Sequence, residues 1–394
     1  MKKIIAAVAL IAPLGVHAQS NVVLFGNVDA AVVSVGQSDG TTTAGGSVRT
    51  TPIKRITRLD SGVGPGSRFG FRGSEDLGGG MRANFLLEGG FGVDTGTSQQ
   101  GGVLFGRQAY VAVSGADWTL SAGRQYAPID VVFATVDPQG GLYWGNSTTN
   151  TNHATYPTIG ASPTSGTYQS TSRVNNSLQG TYTTSAGFTV KLMLAAGDEN
   201  TRGTGRLINP SVTYTKGALS LSASATRLRQ AEGSILASAS PEWLSEQIVG
   251  GSYAFEAAKV FAGAYQFIGT GNRTTLSAAA TVGSPSASPF AYAWRKQHSF
   301  WVGARIPVGS GTFIPSVTRI DYLNENSNPD GKATALALVY DYPLSKRTTL
   351  YANYGQVNNN AYANGALVST VAALLANGYG TKLSAFAIGM RHAF

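Results

Sequence analysis

From Val22 to Phe394 no apolar run is long enough to cross a bilayer as a helix. The chain instead repeats a stretch of about ten residues, apolar on one face and polar on the other. Leu24, Gly26, Val28 and Ala30 alternate with Phe25, Asn27, Asp29 and Ala31, and Phe69 and Phe71 alternate with Arg68, Gly70 and Arg72. Only helices and closed barrels satisfy every backbone group inside lipid, so a membrane protein with this pattern must be a barrel. A soluble β-sandwich or an adhesin could also alternate. What favours lipid is the repetition, together with a charged fraction of 12% against about 25% in average soluble domains, and 50 glycines in 394 residues.

Sixteen segments carry the pattern: 22–33, 67–73, 81–91, 104–114, 119–126, 174–184, 188–198, 209–216, 219–229, 246–256, 259–270, 297–308, 312–324, 333–344, 348–358 and 383–394. An even count suits a bacterial antiparallel barrel with both termini on the periplasmic side. Alternate connections are short and rich in turn residues, such as Lys216-Gly217-Ala218 and Gly309-Ser310-Gly311. The connections between them are long, notably 34–66, 127–173, 271–296 and 359–380, and these are expected outside the cell. Leu367, Val371, Leu374 and Leu375 recur at helical spacing before Asn377-Gly378, which predicts a short loop helix over 366–376. The last strand reaches the final residue. Phe394, His392, Met390, Ile388 and Phe386 share its face, as closure of a barrel on its first strand requires.

The first eighteen residues are expected to be removed. Lys2 and Lys3 precede an apolar run that ends in Val16-His17-Ala18, the pattern of a secretory signal peptide. Residues 19–394 then form a single barrel domain, and loss of the two lysines takes the formal charge from +9 to +7. Export into an oxidising compartment goes with zero cysteines, so no disulfide holds the fold.

Several motifs resemble the proteobacterial general porins. Val23-Leu24-Phe25-Gly26-Asn27-Val28-Asp29-Ala30 is similar to their first strand, and Ser67-Arg68-Phe69-Gly70-Phe71-Arg72-Gly73-Ser74-Glu75-Asp76-Leu77-Gly78-Gly79-Gly80 to their second strand and first turn. Leu104-Phe105-Gly106-Arg107-Gln108-Ala109-Tyr110-Val111 and Gly123-Arg124-Gln125-Tyr126 resemble the fourth and fifth strands. The likeness runs over nearly the whole chain after residue 18. It implies an all-β, sixteen-stranded transmembrane barrel of the outer membrane, a homotrimer, with a third extracellular loop folded inward to narrow a water-filled pore for small hydrophilic solutes. It also implies contact with outer-membrane lipids and lipopolysaccharide, and insertion by the barrel assembly machinery with Phe394 as an assembly signal.

By motif position the resemblance places the basic side of the constriction at Arg68, Arg107, Arg124 and Arg173, with Arg72 and Arg82 on neighbouring polar faces. The inward loop falls at 127–173, with Asp130 and Asp137 as its acidic groups. This chain reads Asp137-Pro138-Gln139-Gly140-Gly141 where the commoner pattern has Pro-Glu, so one carboxylate is an amide and the field leans toward anions. Some of these arginines could instead form ion pairs with Glu75, Glu88 or Asp94.

Other chemistry finds little support. His17, His153, His298 and His392 are too far apart for metal-ligand spacing, and no cofactor is expected. Gly64-Pro65-Gly66 with Gly70 lacks the following helix that a nucleotide loop needs. The pI near 9.6 reflects cations spread one per strand, which argues against nucleic acid. Nothing in the sequence favours an enzyme. Three readings remain: non-specific diffusion; a channel specific for a small anion, sugar or aromatic acid, using Tyr126, Tyr143, Trp144 or Tyr156; and a closed structural barrel.

Overall fold

The computed structural model describes residues 21–38, 53–144, 172–197, 205–229, 243–269, 294–324, 330–361 and 380–394, together with residues 363, 365 and 367. The expected signal peptide, the rest of the 127–173 loop and, apart from Leu367, the expected 366–376 helix lie outside the described residues. The strands are β1 (Asn21–Gln37), β2 (Ile53–Ser61), β3 (Arg68–Gly78), β4 (Met81–Gly90), β5 (Gln108–Ser114), β6 (Trp118–Tyr126), β7 (Arg173–Thr183), β8 (Phe188–Ala196) and β9 (Arg206–Lys216). They continue as β10 (Leu219–Arg229), β11 (Trp243–Ala254), β12 (Lys259–Gly269), β13 (Trp294–Val308), β14 (Gly311–Asn324), β15 (Gly331–Pro343), β16 (Thr348–Asn359) and β17 (Lys382–Ala393). One helix, α1 (Pro128–Val136), follows β6.

Every strand pairs antiparallel with its neighbours, and β1 closes the sheet on β17 from Asn27↔Ala393 to Gln37↔Leu383. The barrel has sixteen strand positions, because β2 and β3 are two halves of one. Both pair with the same edge of β1: β2 with Ala30–Gln37, and β3 with Asn21–Asn27. This corrects the expectation that 34–66 is all loop, since Ile53–Ser61 is strand and β1 itself runs on to Gln37.

The break between the halves is built from Gly62 to Ser67. Gly62 takes φ 71°, a conformation that costs an L side chain but not glycine. The excursion is stitched to β1: Asn27 Nδ2 donates to Pro65 O at 3.0 Å, Gly62 N to Asp29 O at 3.1 Å, and Ser67 Oγ to Asp29 O at 3.1 Å. The glycine run that superficially suggested a nucleotide loop is therefore a kink in a strand.

Burial is inverted relative to a soluble protein. Val111, Val249, Val302, Ile388 and Leu59 are exposed on one face, while Asp29, Asn209, Glu246, Gln297 and Asn353 are fully buried on the other. In water the exposed face would leave a large apolar area unsatisfied, whereas in hydrocarbon it is the stable arrangement. Glycines on both faces of the sheet make room for rings. A Cβ on Gly26 would meet the ring of Phe394, and one on Gly263 the ring of Trp301. The first pair closes the barrel, as Gly26 and Phe394 exchange backbone hydrogen bonds of 3.1 Å each.

Candidate functional site

The kink before β3 aims Arg68 toward the start of β5. Arg107, one residue before that strand, donates its backbone N–H to Glu88 O at 3.1 Å, and its Nε makes a charge-assisted hydrogen bond to the Glu88 carboxylate. β6 ends at Tyr126, directly opposite Arg173, the first residue of β7. The Tyr126 ring stands between two guanidinium groups, 4.9 Å from Arg173 and 5.9 Å from Arg107, and its hydroxyl accepts from Arg173 Nη2 at 3.1 Å. Arg124 donates Nε to Gly106 O at 2.8 Å and Nη1 to Asn175. Arg68 donates weakly to Gly66 O at 3.4 Å and lies within electrostatic range of Arg107, Arg173 and Glu88.

The four arginines expected together are thus brought together, around a tyrosine and one carboxylate. Like charges can be held this close because each guanidinium has its own acceptor, and the ring faces add cation–π attraction of roughly 0.5–2 kcal/mol each. Glu88 is a member of the group that motif position alone did not assign. Of the two loop acids, Asp130 sits in the first turn of α1, accepts from Ser172 Oγ at 2.7 Å and interacts with Arg173.

The other expected members lie elsewhere. Arg72 is four residues further along β3, about 13 Å at the strand rise, with its guanidinium 5.3 Å from the Phe25 ring. Arg82 is exposed next to the turn, in register with Asp76. Asp137 is buried, and its Oδ2 accepts from Gln139 N and Gly141 N, both at 2.9 Å. Those two bonds shape the turn after α1, with Gly140 and Gly141 at φ 67° and 70°.

The segment from 127 to 144 packs along the polar face of the sheet from β8 round to β17. Ile129, Val132, Phe133 and Val136 form the buried side of α1. Phe133 touches the rings of Tyr265 and Trp301, at 5.1 Å and 6.0 Å between centroids, and Trp301 Nε1 donates to Val136 O at 3.0 Å. Beyond the helix, Arg305 Nε donates to Pro138 O at 2.6 Å, Gln139 Nε2 to Ser316 Oγ at 3.0 Å and Trp144 N to Asn353 Oδ1 at 3.0 Å.

The anchor at the far end is a triangle. Tyr143 Oη donates to Asp341 Oδ1 at 2.5 Å and accepts from Arg391 Nη1 at 2.6 Å, while Arg391 Nη2 pairs with Asp341 Oδ2 at 2.9 Å. Burial, reinforced by the Asp341 charge, raises the Tyr143 hydroxyl well above the ordinary tyrosine range, so it remains a proton donor. Tyr143 and Trp144, considered above as solute contacts, are 2% and 0% exposed and serve as packing.

A closed barrel that is apolar outside and polar inside, with a cluster of arginines on its wall, defines a channel of the outer membrane. The chain belongs to the Gram-negative porin family, whose model matches residues 5–362. An outer membrane porin protein of Bordetella pertussis is 29% identical over an alignment of 430 positions, and outer membrane porin protein 32 of Delftia acidovorans is 29% identical over 405, each covering 100% of both chains. The solved anion-selective porin from Comamonas acidovorans superposes with a TM-score of 0.71 at 27% identity, over 95% of this chain and 100% of that one.

Proposed function

We propose that this porin passes small hydrophilic solutes and ions by passive diffusion through a water-filled lumen, with a bias toward anions. The observation that carries the reading is the grouping of Arg68, Arg107, Arg124 and Arg173 around Tyr126, against Glu88 and Asp130. Four fixed positive charges face two negative ones. In a narrow zone with low-dielectric walls such an excess concentrates anions and repels cations. In this reading 127–173 is the loop that folds inward and narrows the lumen, and 1–18 is the cleaved signal. The anion selectivity of the Comamonas relative supports the sign.

The working unit in this reading is a homotrimer, with the apolar outer wall of the early strands as the packing surface. That wall carries a groove of about 470 Å³ lined by Gly73, Ala83, Phe85, Val111, Leu120 and Ala122 among others. Phe394 is the assembly signal, read by the barrel assembly machinery. A solute-specific channel is the weaker reading, since Tyr143 and Trp144 are turned into packing and Tyr126 is held between arginines.

The test is the zero-current potential across a planar bilayer in a KCl gradient. Arg68→Glu is the cleanest variant, because replacing Arg107 would also strand Glu88. It is expected to move the potential toward cation preference. The same change at Arg347, exposed on the turn after β15, is expected to leave it in place. The bias fades as salt shortens the screening length from about 10 Å at 0.1 M to about 3 Å at 1 M. A wild-type pore that prefers potassium overturns the anion bias, and equal shifts at the two positions overturn the site.

A further inference from the structure

Lys191 is a cation without a partner on the lumen face. On β8 it alternates with Val190 and Leu192, which are exposed on the outer wall, and it is in register with Thr181 of β7 and Ser211 of β9. The face is fixed by Asn209, the next residue of that alternation on β9, whose Oδ1 accepts from Ile129 N of α1 at 2.9 Å. Strands β6 to β10 contain no Asp or Glu. Among the described residues Lys191, half-buried, makes no ion pair and no hydrogen bond. Apart from Arg173 at the far end of β7, it is the one basic side chain that the described residues of β7 to β10 turn to the lumen.

The wall around it is made of hydroxyls. β9 presents Ser211, Thr213 and Thr215 to the lumen, and β10 presents Ser220, Ser222 and Ser224. Thr213 and Ser222 share a hydrogen bond of 3.0 Å, Thr215 and Ser220 one of 3.2 Å, and Thr183 and Thr189 one of 3.2 Å, so each pair keeps a proton to donate. The hydroxyls of Thr181 and Ser211, which flank Lys191, have no hydrogen-bond partner among the described residues, and neither has the buried Oε1 of Gln179, the next lumen-facing residue on β7. The patch is separate from the arginine cluster. Thr181 lies eight residues beyond Arg173 on β7, about 26 Å at the strand rise, on the short-turn side of the surface that α1 covers.

We propose that this patch is a second solute site, beyond the arginine cluster, for a polyhydroxylated monocarboxylate of the sugar-acid class. A cation with no acid near it takes an anionic group, and one cation matches one carboxylate. Lysine suits that role as a point charge that imposes no fixed fork geometry. Hydroxyls both donate and accept, so the surrounding Ser and Thr side chains exchange hydrogen bonds with a run of solute hydroxyls in more than one pose. Thr181, Lys191 and Ser211 form a row across three strands, about 10 Å wide at the strand spacing, which is the scale of an extended sugar acid. Such a site retains one kind of solute briefly and leaves the passage of others open. The inference rests on the reading that solutes enter the lumen, and not on the sign of the selectivity at the arginines.

The test is saturation-transfer NMR on the purified protein in detergent, titrated with gluconate as the probe and with acetate and glucitol as controls. Gluconate is expected to bind about tenfold more tightly than either, since acetate lacks the hydroxyls and glucitol the charge. Lys191→Gln is expected to weaken gluconate about tenfold and to leave glucitol unchanged, while Lys191→Arg keeps most of the affinity. Thr181→Val is expected to lose about threefold, and it reads the same site if Lys191→Gln does not fold. Gluconate binding that is undiminished in these variants places the solute at the arginines and overturns the proposal, as does binding no tighter than that of acetate. Bound solute is read here without any current. A wild-type pore that prefers potassium therefore removes the anion bias and leaves this result standing, and the reverse also holds.

Discussion

Tyr143 shows how one hydroxyl can hold a chain segment. It donates a hydrogen bond to Asp341 and accepts one from Arg391, so its removal leaves each of these two half-buried charged groups one partner short. Tyr143→Phe is expected to cost about 1 kcal/mol, since its partners are half-buried and keep their own ion pair, read as a lower midpoint of unfolding in denaturant. The pH dependence has a definite sign. The folded-state value is raised above the ordinary 10.0, so the stabilising contribution is complete below that pH and is lost as pH rises above it, because the unfolded chain ionises there first. The phenylalanine variant is expected to lose this part of the alkaline decline. A decline of unchanged size in that variant would mean the triangle is not the anchor. Neither Asp341 nor Arg391 was legible as part of a site beforehand. Polar residues facing inward recur on every strand, and which of them meet depends on where a distant segment crosses the sheet.

At the scale of elements, α1 depends on what it packs against. A nine-residue helix is too short to persist alone in water, and its buried stripe of Ile129, Val132, Phe133 and Val136 supplies the stability. Phe133→Ala opens a cavity against Tyr265 and Trp301, and is expected to cost about 3–5 kcal/mol of local packing. The barrel ladder does not pass through this residue. The expected outcome is an intact barrel with noisier, larger single-channel currents, and a quiet channel of unchanged conductance would count against 127–144 as a pore-narrowing element. The strands themselves were legible because alternation is a local property: all sixteen expected segments overlap strands, although residues 104–107 of the expected 104–114 precede β5. Ile53–Ser61 escaped notice because Lys54, Arg55, Arg58 and Asp60 dilute its apolar alternation and Gly62–Ser67 looks like plain loop. The four arginines were placed together by motif position, and each lies within two residues of a strand end. Glu88 was legible only as one of three carboxylates that could pair with an arginine, and the burial of Asp137 in its own turn was not legible, because an irregular loop carries no periodic signal.

At the scale of the whole molecule, Phe394 is paired to the first strand. Gly26 and Phe394 share two backbone hydrogen bonds, and the ring fills the space that glycine leaves. Native mass measurement in detergent is expected to find three chains per particle, and deletion of Phe394 to lower the yield of that particle severalfold. A monomer at every concentration removes the trimer, and wild-type yield after the deletion removes the assembly role of the terminal ring.

Closure of Asn27 on Ala393 also carries a constraint in time. The ring of hydrogen bonds is incomplete until the final residues have been synthesised, so the first strand must wait for nearly the entire chain before it has both partners. Contacts of such sequence separation make for slow formation, and the exposed edges of an unfinished sheet would adhere to anything nearby. Hairpins can pair along the way, but the barrel itself cannot close until residue 393 has been made, so its last open seam is the one between the two ends of the sheet.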